Sequence, residues 1–193
     1  MNGSLLLWSL VALVVFWCVG LYNRLMRMRA RGLDTLGSVE RLLRNYLSLV
    51  DTHLVARGAA AQPGDGEDRT VNLPARWTQL VARLHHMDVV MNAVRNAPLA
   101  VQPMARLDDA IGAVQQAWAQ LRDQPLDLAG PAVPDAMQLR WDANTLQVHV
   151  ALRQLNKILT EYNEAIAQFP AALVVGLMRL EPVGSLRENH DTH

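Results

Sequence analysis

The chain has 193 residues, 51% of them hydrophobic and 19% charged, which suits one modest domain and leaves no room for a large multidomain enzyme. With 18 Lys and Arg against 18 Asp and Glu, it lacks the excess of cations that binding nucleic acid by phosphate neutralisation requires. Cys18 is the single cysteine, so neither an intrachain disulfide nor a cysteine-based zinc site can form.

Residues 1–23 carry no charged side chain, and residues 5–21 read LLLWSLVALVVFWCVGL. A helix rising about 1.5 Å per residue carries such a stretch roughly 25 Å, close to the thickness of a bilayer core. Eleven of these positions are Leu, Val or Phe. On insertion scales they sum to roughly −3 to −7 kcal/mol, enough to hold a helix in lipid. A cleavable signal peptide is the competing reading, but no cation precedes the apolar run and no small-residue cleavage site follows it. Bulky Phe16 and Trp17 rule out lipoprotein-type attachment at Cys18. Residues 1–23 therefore read as an uncleaved anchor, with Leu5, Val15 and Leu21 along it. Arg24, Arg27, Arg29 and Arg31 follow with no acid among them. The positive-inside rule then puts the N-terminus outside and the body of the chain in the cytoplasm. These arginines either set topology alone or also touch anionic headgroups.

No proline occurs before Pro63, so the anchor is expected to run on into a long first helix ending near residues 58–61. Residues 62–69, QPGDGEDR, form a polar turn cluster. A second helix fits residues 75–97, where Trp77, Leu80, Leu84, Met87, Met91 and Val94 alternate spacings of three and four. Pro98 ends it. A third, residues 104–123, repeats the pattern with Leu107, Ile111, Val114, Trp118 and Leu121. Residues 124–134 hold three prolines and make the next break. The fourth helix, residues 135–169, is the most regular: Trp141, Val148, Leu155, Tyr162 and Phe169 recur every seven residues, with Leu152, Leu159 and Ile166 between them. No segment alternates with period two. The expected fold is all-α: a transmembrane helix continuing into an antiparallel up-down four-helix bundle. The expected divisions are 1–23 (anchor), 24–180 (bundle) and 181–193 (a disordered polar tail).

Chemistry is sparse along the chain. None of the five serines sits in a Gly-x-Ser-x-Gly elbow, and Lys157, the sole lysine, follows no glycine-rich loop. Helical bundles host metals through Glu-x-x-His pairs, of which there are none; His85 and His86 are adjacent and diverge by about 100° on a helix. No catalytic residue, cofactor or metal is expected. Asn156 and Asn163, seven apart beside the fourth-helix seam, either bond across the bundle to fix register or lie on a solvated flank. Five tryptophans divide between the two ends of the anchor (Trp8, Trp17) and the core stripes (Trp77, Trp118, Trp141).

Tyr22 and Asn23 open the segment YNRL directly after the apolar run, and residues 153–176 read RQLNKILTEYNEAIAQFPAALVVG. Both resemble the LemA family, whose last long helix closes on Arg-x-x-Tyr-Asn, Tyr-Asn and Phe-Pro patterns. Arg153, Asn156, Tyr162, Asn163, Phe169 and Pro170 fall on that pattern, while Leu155 stands where the family commonly has tyrosine, so the resemblance is to a divergent member. It implies a single-pass protein of the bacterial inner membrane with a helical bundle and no enzymatic activity. The function expected is that of an interaction or scaffold protein organising a membrane compartment or complex. The alternative is an accessory or regulatory subunit of a membrane enzyme, such as an envelope protease system. The expected partners are the lipid bilayer and unknown proteins, with self-association open and nucleic acid excluded. Residues 171–180, nine of them uncharged, are too short to span and either lie on the headgroup boundary or cap the bundle.

Overall fold

The computed structural model describes residues 2–60, 75–124, 133–167 and 182–184. They form α1 (Asn2–Ala60), α2 (Ala75–Asn96), α3 (Val101–Arg122) and α4 (Asp135–Ala167), and no strand occurs among the described residues. The fold is a helical bundle, as the stripes predict. With 59 residues and no proline to interrupt it, α1 extends roughly 90 Å. That is far longer than its partners, and its first third runs on without a neighbour among the described residues.

α1 and α4 are antiparallel neighbours. Asn45 meets Asn144, Tyr46 meets Thr145, Gly32 lies against Ile158 and Leu159, and Leu25 clusters with Tyr162 and Ile166. α2 and α3 form the second close pair, joined by a turn in which Leu99 takes a left-handed φ of 64°. A non-glycine residue adopts that conformation at some cost, and here the buried Leu99 side chain anchors it in the core. Glu40 on α1 bridges to Arg95 on α2 as well as to Arg44, a surface cluster that adds little stability.

α3 begins three residues before the expected start. Pro103 occupies the first turn of the helix, where its missing N–H would have no partner anyway. The Met104 amide bonds back to the Ala100 carbonyl at 3.1 Å and closes that turn.

The core follows the expected stripes. Every stripe residue of α2 and α3 is buried, as are Trp141, Val148, Leu155 and Tyr162 of the seven-residue seam. Phe169 lies outside the described residues. Large aromatic rings fill the middle: Trp141 stacks on Trp118 with centroids 4.0 Å apart and meets Tyr46 at 4.3 Å. A polar ladder crosses from α1 to α4 beside them. The Asn144 amide donates to the Leu42 carbonyl at 3.1 Å and accepts from the Asn45 amide at 3.3 Å. The Tyr46 hydroxyl donates to Thr145, which donates in turn to the Trp141 carbonyl. Burial pushes the Tyr46 phenol up to about 12, so it keeps its proton and serves as a donor. Buried amides of this kind fix helix register, because a shift would leave them unpaired.

Candidate membrane interface

Two features meet at one end of the bundle: an apolar helix that leaves it and a small second core that closes it. Along α1 the large side chains before residue 21 point into open space. Leu6, Trp8, Leu13 and Phe16 are 72%, 69%, 64% and 79% exposed, and Val15 is 56% exposed. α1 has one stretch long and apolar enough to cross a membrane, and none of that stretch is buried in the fold. Of the Leu5 side chain nothing is described.

Packing starts at Leu21. That residue and Met28 lean on a cluster of Leu25, Tyr162 and Ile166, separate from the main core. Counting back along both helices from the Asn45 and Asn144 pair brings Ala167, the last residue of α4, level with Tyr22. The helix partner of α1 therefore ends where the charge-free stretch begins. Tyr22 and Asn23 are exposed there, and the Asn23 carbonyl accepts the Arg27 Nε at 3.3 Å.

Just above lie the exposed side chains of Arg24, Arg27, Arg29 and Arg31. Helical spacing puts Arg24, Arg27 and Arg31 on one side of α1 and Arg29 on the other, so positive charge surrounds the helix as a collar. None of the four pairs with an acid among the described residues. Burial raises the Tyr162 phenol above its ordinary range, and the Arg29 charge partly opposes the shift.

Asn163 has a role that neither sequence alternative describes. Its side-chain amide brackets the backbone of Val183, accepting from the Val183 N–H and donating to the Val183 carbonyl, both at 3.0 Å. The Gly184 N–H then donates to the Leu99 carbonyl at 2.9 Å. Gly184 packs so closely that a Cβ would stand 2.7 Å from the Val101 Cα, so only glycine fits. Residues Pro182–Gly184, read from sequence as part of a polar tail, are thus clipped to the base of the bundle, with Val183 leaning on the Leu25 cluster. Asn163→Leu removes both clip bonds and should cost about 1–3 kcal/mol. It should also speed hydrogen exchange at the Val183 and Gly184 amides; unchanged exchange would show that the clip carries no stability.

Asn156 is half-buried and Arg153 exposed, while Phe169, Pro170 and residues 171–180 lie outside the described residues. An amide that crosses the bundle is Asn144, one turn after Trp141; its polarity hid it among apolar neighbours. His85 and His86 are exposed, and no group of three His, Cys, Asp or Glu side chains gathers among the described residues. Among the described residues, the fold and this site define an all-α chain whose first helix runs apolar and without a neighbour beyond a helical bundle. No family model, curated protein or solved structure matches the chain.

Proposed function

We propose that the protein is a membrane-anchored helical scaffold of the LemA type, without enzymatic activity of its own. It holds its bundle at the surface of a bacterial inner membrane, where it organises a compartment or complex. One observation carries this reading: the apolar side chains of α1 stay exposed beyond the level where α4 ends. So large an apolar surface is costly in water and favourable in hydrocarbon. Trp8 and Trp17 stand near the two ends of the stretch, where amphipathic rings favour the headgroup level.

The arginine collar gives the orientation. The four cations sit on the bundle side of the span, so in this reading the bundle faces the cytoplasm and the N-terminal side of the span lies outside. Because α1 crosses the boundary without a break, the bundle stands upright on a continuous helix, and proteins would meet its outer faces. A fluorescent reporter fused after His193 should be bright in cells and an alkaline-phosphatase fusion silent. The reverse pattern would overturn the orientation, and release of the full chain by carbonate wash would overturn the anchor.

A further inference from the structure

α4 carries a second apolar face, opposite the one in the core. Ala136, Leu139, Ala143, Leu146 and Val150 are all exposed and follow one another at spacings of three and four. Leu139 and Leu146 are 73% and 64% exposed. The outer face of a bundle helix is ordinarily polar. Further along, the same face obeys that rule with Arg153, Lys157, Thr160 and Glu164. The apolar part is confined to the half of α4 away from the arginine collar.

We propose that this face is where a second copy of the chain docks, two α4 helices lying parallel across a two-fold axis. The side chains favour a copy of the same chain. Taking Leu139 and Leu146 as the d positions of a heptad puts Ala136, Ala143 and Val150 at a, so two leucines at d pack beside small alanines, with one β-branched residue at a closing the seam. Asp135 then falls at g and Arg140 at e, so each meets its opposite across the axis, twice per dimer. Neither forms an ion pair among the described residues of its own chain. The following flank pair, Asp142 and Gln147, brings no like charges together. Arg153 and Lys157 would face their own copies, which ends the seam at Val150.

The parallel sense rests on the anchored reading above. Copies held in one bilayer point the same way, so residue 139 of each stands at the same height. Two heptads cover much less than the roughly 800 Å² per partner of a stable soluble interface. Confinement to the membrane raises the effective concentration and compensates.

The test uses the full chain with Cys18→Ser, reconstituted in phosphatidylglycerol-containing liposomes and oxidised with copper phenanthroline. Leu139→Cys and Leu146→Cys should each give disulfide-linked dimers, while Val89→Cys, exposed on α2, and Glu164→Cys, low on the α4 face, should give at least tenfold less. Arg140→Asp should lower the Leu146→Cys yield severalfold, and adding Asp135→Arg should restore it. Absence of dimer from Leu139→Cys, or equal yield from Val89→Cys, overturns the proposal. A dimer forming only between Leu139→Cys and Val150→Cys chains means an antiparallel pair and overturns it too. Flotation of the same liposomes reads the anchor separately. Chains that float without crosslinking refute only the pairing, whereas chains that do not float refute the membrane reading and, with it, the parallel pair.

Discussion

Trp141→Ala should remove about 3–5 kcal/mol of stability, the range for truncating a buried tryptophan to alanine. The ring is 2% exposed and sandwiched between Trp118 and Tyr46, so its loss uncovers both neighbours. Aromatic pairs of this geometry contribute about 0.5–1.5 kcal/mol each beyond their burial, which puts the site at the upper end of the range. The polar ladder hangs from the same turn, since Thr145 donates to the Trp141 carbonyl while receiving the Tyr46 hydroxyl. Against a total stability of about 5–15 kcal/mol, this loss is large. For a chain of this size it should lower the melting temperature of the detergent-solubilised protein by roughly 10–15 °C. Trp141→Phe keeps one stacked ring and should lose less, and Gln116→Ala, exposed on α3, should stay within about 0.5 kcal/mol. Equal melting temperatures for Trp141→Ala and Gln116→Ala would mean that the aromatic stack does not hold α1, α3 and α4 together.

The sequence makes the periodic parts of this fold legible, and the reason is geometric. A seam repeating every seven residues from Trp141 to Tyr162 can bury itself only as a long helix against other helices, and α4 forms accordingly. The continuity of α1 is readable from the absence of proline. What pattern alone hides are contacts between distant residues. Asn144 interrupts the apolar seam and reads as a flaw until Asn45 and the Leu42 carbonyl stand opposite it. Asn163 sits beside the seam, where crossing the bundle and facing solvent are the natural alternatives. Its partner is instead the backbone of Val183, twenty residues downstream, and a backbone group carries no mark in the sequence. The start of α3 is hidden because a proline within the first helical turn and one outside the helix look alike until the N-cap conformation is known. The deciding residue is the N-cap Ala100, extended at φ −67° and ψ 142°, which starts the helix ahead of Pro103.

Placing arginines at both Val11 and Val15 should strip the protein from membranes while leaving the bundle as stable as before. The two positions straddle the centre of the apolar stretch and are 46% and 56% exposed, with no partner to lose among the described residues. An arginine at the centre of a spanning helix costs about 2.5–3.5 kcal/mol, so two contribute about 5–7 kcal/mol and cancel the roughly −3 to −7 kcal/mol that favours insertion. A shift of that size moves the partition by several powers of ten. Leu25→Asp supplies the opposite case. Its side chain is fully buried against Tyr162 and Ile166 just outside the stretch, so it should lower the melting temperature and leave membrane attachment intact. The two variants separate a membrane helix from the core helix of a soluble protein. If α1 before residue 21 packed against protein, Val11→Arg with Val15→Arg would lower the melting temperature as Leu25→Asp does. If the stretch were a signal sequence, the mature chain would lack both positions and carbonate would extract it. Retention in the carbonate-washed membrane by the unaltered chain, loss by the double-arginine variant and an unchanged melting temperature are expected together only from an uncleaved helix in lipid.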